Sequence, residues 1–396
     1  LTAMASFAYE IGWIRMLSLV LGSATHAFEL MLSAFIFGLA VGAWWIRPRA
    51  DRVADPRVLL GGIQVAMGLA ALATIPIYLA SFEAMAFLVR LYQSTPAAYL
   101  LHNLGRYGLA LMVMLPATAL AGMALPVITG MLLRAGAGEP VIGRVYAVNT
   151  IGSVAGAGLA GLILMPVLGL KGLLVAGATL DIGLGIWLLA LARNGSRRGS
   201  RRLASAVLVG LAATLTVSFG VHFDRSALTS GVYRYGFVTD AGSSEPLFYA
   251  DGRTATVSAH RDTETGSLVI STNGKPDASM GRRWYVSGRD TLPVTAVEPG
   301  RDYMTQVLAP LVGLAHMPDA RSAANVGHGS GMTGTTLLTS TSLERVVTIE
   351  IEPVMVQGSF VFLPANQPVF EDPRSTFAFD DAKSFFAYNQ EKFDLI

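Results

Sequence analysis

Cysteine is absent from the chain. Its absence excludes disulfides, thiolate metal sites and cysteine nucleophiles, and it leaves the compartment open. Charge is scarce as well. Only 14% of the residues are Asp, Glu, Lys or Arg, against roughly 25% in ordinary soluble domains. The formal net charge is only +2, so nothing in the balance calls for a nucleic-acid partner. No metal site is expected either. The sequence starts at Leu1 inside an apolar run and stops at Phe393-Asp394-Leu395-Ile396, which reads as mid-strand. Both ends are therefore expected to be truncated, and a leader segment stays open.

The few charges are unevenly placed. Residues 1–222 hold 15 Lys/Arg against 7 Asp/Glu (net +8), and the remainder holds 14 against 20 (net −6). A membrane half and a soluble half follow from that division. Apolar runs near 2–22, 27–46, 58–80, 106–133, 146–168, 172–192 and 203–221 reach the roughly 20 residues that cross a bilayer. Pro116 and Pro126 predict a kink or break in the fourth run. Residues 82–100, with Glu83, Arg90 and Pro96, read as an interfacial helix and loop.

Arginine sets the expected orientation. Arg47, Arg49, Arg52 and Arg57 follow the second run, Arg134 and Arg144 the fourth, and Arg193, Arg197, Arg198, Arg201 and Arg202 the sixth. These links alternate, so all three can lie on the cytoplasmic side. With seven spans the soluble half then faces outward, to the periplasm of a bacterial inner membrane. A miscount by one would reverse it. The stretch GSVAGAGLAG at 152–161 reads as a helix-packing face. Glu10, Arg15, Glu29, Asn149 and Asp181 lie in or near spans, where either structural pairing or a transport or ligand role is open.

The soluble half changes pattern along its length. Residues 254–260 and 267–272 alternate as strands around a turn at 262–266, and Asn273-Gly274 is a hairpin signal. Residues 228–285 thus predict a small antiparallel sheet. Residues 286–300 read as a loop and 302–315 as a helix. From 322 onward, strands at 322–326, 345–351, 375–379 and from 393 alternate with helices at 331–340, 354–362 and 382–388. That order predicts a parallel sheet covered by helices. The expected domains are 1–222, helical and membrane-spanning; 223–300, a small β subdomain and loop; and 301–396, an α/β domain with a parallel sheet.

Ligands of such sheets bind at the carboxyl ends of the strands. Gly327-His328-Gly329-Ser330-Gly331, Glu350 and Asp380-Asp381 all fall there. The glycines let the backbone approach a ligand, and a carboxylate one strand over can accept from both hydroxyls of a ribose. His328 reads as an exposed loop histidine without a role.

These residues resemble the spermidine synthase family of aminopropyltransferases. The soluble pieces are LVISTNGKPDAS (268–279), DYMTQVLAPL (302–311), NVGHGSGMTG (325–334), VVTIEIEP (346–353), NQPVFEDPR (366–374), DDAKSFF (380–386) and FDLI (393–396). The helical half resembles bacterial fusions of a multi-span domain to such a domain, through YEIGWIRML (9–17), PATALAGMALP (116–126) and GRVYAVNTIGSVAGAGLAG (143–161).

The resemblance implies a Rossmann-like methyltransferase fold, with decarboxylated S-adenosylmethionine as cosubstrate and a polyamine or other amine as acceptor. Gly327, Gly329 and Gly331 would cradle the methionine-like part, Glu350 the ribose, and Asp381, followed by Ala382, the adenine. Gln306 sits where soluble members carry a glutamine near the active site. Two departures bear on catalysis. Soluble members carry Asp at the position of Ser330, and that carboxylate helps bind the cationic amine. Their catalytic acid follows the strand that begins at Phe393, so its equivalent is expected beyond Ile396. The cosubstrate is also cytosolic, whereas the predicted domain faces out. The reading is a membrane-anchored protein with weak or lost catalysis, acting as an accessory subunit of a membrane complex. Active aminopropyl transfer is the alternative, and a transporter with a soluble regulatory domain a weaker one.

Overall fold

The structure is a computed structural model, and it describes residues 1–50, 52–91, 96–193, 196–239, 242–282, 285 and 301–396. The chain forms two compact units. The first comprises 1–224 with 232–238, and the second 225–231 with 239–396.

The first unit is helical: α1 (Thr2–Leu21), α2 (Thr25–Ala50), α3 (Pro56–Leu91), α4 (Pro96–Arg134), α5 (Pro140–Leu159), α6 (Met165–Leu191) and α7 (Arg197–Leu215). Single π turns, Ala160–Leu164 and Thr216–Gly220, follow α5 and α7. Six helical stretches are long and apolar enough to cross a membrane, and one of them, Pro140–Leu191, has 52 residues. An unbroken helix of that length would run about 78 Å, against a hydrocarbon core of about 30 Å. It is not unbroken. Gly169 takes φ 69° and ψ 178°, a conformation that interrupts the helix and that glycine alone adopts readily.

Contacts give the directions. Gln64 Nε2 donates to Thr2 Oγ1 and Trp13 Nε1 to Thr74 Oγ1, both at 3.0 Å, so α1 and α3 run the same way. Gly152 packs on Ala3 and Gly156 on Met4, which sets α5 alongside α1. Gly12 packs on Leu174 and Gly177 on the Tyr9 ring, so α6 runs against α1. The chain therefore reverses near Gly169. Lys171 Nζ donates to the carbonyls of Ser218 and Val221, each at 2.7 Å, and turns α7 against α6. Arg134 donates to the Ala50 carbonyl at 2.7 Å, pairing the ends of α2 and α4. The arginines at 47–57, 134–144 and 193–202 consequently share one end of the bundle, and Leu21, Lys171 and Val221 the other.

Two expectations are refined in this unit. Residues 82–91 are not a separate helix but the last turns of α3, and Pro96 begins α4. Helix geometry there outlasts the apolar run because no residue from Ser81 to Leu91 breaks it. Pro116 and Pro126 sit inside α4 without interrupting it.

The second unit opens with α8 (Arg225–Leu228), while α9 (Val232–Tyr235) belongs to the helical unit. An antiparallel sheet follows in the order β1 (Ser244–Asp251), β2 (Thr256–Asp262), β3 (Leu268–Thr272), β4 (Lys275–Met280). Asn273 and Gly274 both have positive φ, 49° and 73°, the signature of a type I′ hairpin turn. The loop expected at 286–300 lies outside the described residues.

The helix α10 (Arg301–His316) leads into β5 (Ser322–Val326), α11 (Met332–Leu337), β6 (Arg345–Ile349), α12 (Pro353–Gly358), α13 (Pro368–Glu371), β7 (Ser375–Ala378) and α14 (Ala382–Tyr388). The strands β5, β6 and β7 are parallel and adjacent in that order. Leu395 bridges Ala323 on the other side of β5, also in parallel. The helix expected at 331–340 is shorter than predicted, and that at 354–362 finishes as a 3₁₀ turn, Ser359–Phe362. The antiparallel sheet packs on the helices of the α/β part: Val257, Ile270 and Met280 pack with Tyr303 of α10, Met332 of α11, Met355 of α12 and Phe362.

Candidate functional site

The site is assembled at the carboxyl ends of β5, β6 and β7. The chain leaves β5 into Gly327, Gly329 and Gly331, whose φ values are 87°, 55° and 83°. All three lie in the left-handed region, where a Cβ is costly. A Cβ at Gly331 would also come within 3.0 Å of His328 Cε1. Space around Gly327 is open, with nothing among the described residues within 4 Å of such a position.

Most of the loop's N–H groups are committed. Gly327 donates to the Ile349 carbonyl and Gly331 to that of His328. His328 donates to Glu350, and Met332 to Ser330 Oγ. Those of Gly329 and Ser330 make no bond among the described residues. They are what the loop can offer an anionic or carbonyl group.

Glu350, buried just past β6, is clamped by backbone. Its Oε2 accepts from His328 N at 2.8 Å and its Oε1 from Glu352 N at 2.9 Å. Each carboxylate oxygen has a second lone pair, so the clamp orients the group and leaves acceptor capacity. Asp381, past β7, is exposed; it caps α14 by accepting from Ser384 N at 3.0 Å. Asp380 beside it accepts from the Tyr388 hydroxyl.

Ser330 is 1% exposed. Its hydroxyl donates to Gln306 Oε1, across from α10, and its carbonyl accepts from Asn366 Nδ2 at 2.8 Å. Gln306 Nε2 is buried without an acceptor among the described residues. Ser330 and Gln306 therefore form a neutral, enclosed pair. Gly327, Gly329, Ser330, Gly331, Glu350 and Gln306 come together in this way; Asp381 stands at the next strand end and is linked to none of them by a hydrogen bond.

His328 is not the exposed spectator its loop position suggests. It is 4% exposed, with its ring edge-on to Phe370 and Phe377. The positive-φ glycines on either side turn it inward. Ser359 Oγ donates to the Val356 carbonyl, so the 2.8 Å contact between His328 Nε2 and Ser359 Oγ is a donation from the ring. Burial pushes the imidazole pKa down to about 4, and the ring is neutral near pH 7.

Two further residues shape the site. Asn366 Nδ2 holds the Ser330 and Ser359 carbonyls together, at 2.8 and 2.9 Å. Glu352 is buried and reaches back to the antiparallel sheet, accepting from Thr254 N (2.7 Å), Thr254 Oγ1 (2.8 Å) and Ala255 N (3.2 Å). In the sequence Glu352 is one more acid after a strand, and its partner Thr254 lies 98 residues away.

With this geometry in place, the relatives become informative. The chain is similar to polyamine aminopropyltransferases. That of Thermococcus onnurineus is 30% identical over 103 residues, 26% of this chain and 36% of the relative. Polyamine aminopropyltransferase 1 of Pseudomonas aeruginosa is 32% identical over 135 residues, 34% of this chain and 44% of the relative. Polyamine aminopropyltransferase 2 of Ralstonia nicotianae aligns at 23% identity over 99% of this chain and 69% of its own length. The chain thus spans well under half of the first two. Among solved structures, the spermidine synthase from Thermotoga maritima covers 38% of this chain and 45% of its own, at 14% identity and a TM-score of 0.31. No family model matches the chain. The sequence relatives support a spermidine synthase-like domain here.

Proposed function

We propose that this protein is a membrane-anchored, spermidine synthase-like protein whose α/β domain serves as an accessory subunit of a membrane complex, with aminopropyl transfer weak or lost. The Ser330–Gln306 pair carries this reading. A spermidine synthase-like site recognises a cationic amine, and a carboxylate serves that purpose far better than a hydroxyl. Here the hydroxyl is buried and already spent on an amide.

The helical unit supports the anchor. Val148, Ile151 and Val154 of α5 are 68–69% exposed, an outward apolar face suited to lipid. The arginine-rich links gathered at one end suit the cytoplasmic surface. The second unit then follows the last helix on the opposite, periplasmic side, away from cytosolic decarboxylated S-adenosylmethionine. The relative that aligns along the helical half as well supports keeping both units in one protein.

Active aminopropyl transfer is the second reading. The open space at Gly327, the uncommitted N–H groups of Gly329 and Ser330 and the clamped Glu350 favour it. Calorimetry and turnover with the full-length protein separate the two. Absence of transfer from decarboxylated S-adenosylmethionine to putrescine, with co-purifying membrane subunits, supports the accessory role. Turnover by the isolated monomer would overturn it.

A further inference from the structure

At the arginine-rich end of the helical unit, α1, α2, α4 and α5 line a half-open cavity of about 630 Å³. A second lobe of about 350 Å³ adjoins it, and the two share Thr2, Ala3, Leu125, Ile128 and Asn149 as a common wall. The larger lies within the roughly 300–1,000 Å³ range of ligand pockets.

Their linings are amphiphilic in a definite order. Phe35, Leu39, Leu125 and Leu133 line the first lobe, and Leu132, Val145 and Val148 the second. Each lobe also carries one arginine, Arg47 in the first and Arg144 in the second. Both arginines are exposed, and neither has a hydrogen-bond or ion-pair partner among the described residues. No Asp or Glu lines either lobe among the described residues. Thr2, Ser6 and Asn149 add neutral polar groups near the α1 start.

We infer that this two-lobed cavity is a binding site for an anionic two-chain phospholipid, with an acyl chain in each lobe and the phosphate held by Arg47 and Arg144. The inference rests on the membrane-anchored reading above. Apolar walls suit chains and would not hold a small anion alone. Unpaired guanidinium groups suit a phosphate, to which arginine donates in a bidentate fork. The site also sits at the end where anionic lipid would be met if that end is cytoplasmic.

The test uses the full chain, purified in detergent and placed in nanodiscs. Phosphatidylglycerol, phosphatidylcholine and inorganic phosphate are the three probes, read by native mass spectrometry. Expected is retention of phosphatidylglycerol over phosphatidylcholine, with no competition from inorganic phosphate. The double variant Arg47→Gln/Arg144→Gln, changed only at exposed positions, should reduce that preference by roughly tenfold to thirtyfold. Ser153→Trp, which fills the first lobe, should expel lipid while both arginines remain; circular dichroism and gel filtration report whether it is folded. Equal retention of both lipids, an unchanged preference in the double variant, or full competition by inorganic phosphate would overturn the inference. Carbonate extraction separates this failure from that of the anchor. Release of the protein by carbonate sinks the membrane reading itself, whereas an integral protein without lipid preference sinks only the site.

Discussion

The Ser330 hydroxyl donates to the side-chain carbonyl of Gln306, and the amide nitrogen of the same glutamine is buried with no acceptor among the described residues. An amide of that orientation completes itself if it rotates toward a carboxylate. Ser330→Asp should therefore be accommodated, with Gln306 Nε2 donating to the new carboxylate. The same substitution restores a negative charge for a cationic amine. Putrescine affinity should rise about tenfold or more, since ionised acceptors form the stronger bonds. Isothermal titration of the full chain with putrescine measures it. An unchanged affinity would remove Ser330 as the cause of weak amine recognition.

His328 makes stability depend on acid. Its pKa stands near 4 in the folded chain and near 6.5 when unfolded. Between those values the unfolded state binds more protons, so stability rises with pH across the window. The contribution is complete above about pH 6.5 and is lost toward pH 4, a difference on the order of 3 kcal/mol. Hydrogen exchange of β6 in the full-length protein, followed from pH 7 to 4, reports the change. His328→Asn should flatten that profile. A profile of equal slope in the variant would place the proton elsewhere.

Glu352 ties the two sheets of the second unit together. Removing its carboxylate takes the partner from the buried Ala255 N–H and from the part-buried Thr254 N–H; a buried N–H left unpaired costs about 1–3 kcal/mol. Glu352→Ala is expected to cost about 2–4 kcal/mol in pulse proteolysis of the full chain, and Thr254→Val, which loses one hydroxyl donor, about 1 kcal/mol. Gly252→Ala reaches the same tie from the other side. Its Cβ would lie 2.3 Å from the Glu352 carboxyl carbon, so it should be as damaging as Glu352→Ala. Wild-type resistance in Gly252→Ala would show that the carboxylate can move.

These relationships also mark how far the sequence can be read. The strands β5, β6 and β7 were legible because short apolar runs alternate with helical ones and end in glycine or acid. Gly327, Glu350 and Asp381 could be placed at strand ends for the same reason. Side-chain direction was not legible. His328 lies in a glycine loop, and only the signs of φ at Gly327 and Gly329 decide that it points inward. Long-range partners were equally hidden: nothing local to Glu352 names Thr254, and nothing in the Ser330 position announces that Gln306 occupies its hydroxyl. In the helical unit hydropathy located the runs but not the helix ends. Hydropathy falls after Ala80, whereas backbone hydrogen bonding carries α3 on to Leu91.

On the proposed membrane-anchored reading, the turn at Gly169 sets the number of passes and with it the side expected for the α/β domain. Without it the bundle has six passes, and the domain follows the arginine-rich links to the cytoplasm. With it, α6 runs back along α1 and the count becomes seven. Because the chain contains no cysteine, single cysteines give a clean answer. Lys383→Cys on α14, Ser23→Cys between α1 and α2, and Arg198→Cys near the start of α7 are all at exposed positions. In spheroplasts an impermeant maleimide should label the first two at once and Arg198→Cys only after permeabilisation. Labelling of Arg198→Cys in intact spheroplasts would invert the topology. It would also give the Gly327–Gly331 loop access to cytosolic cosubstrate and restore the catalytic reading.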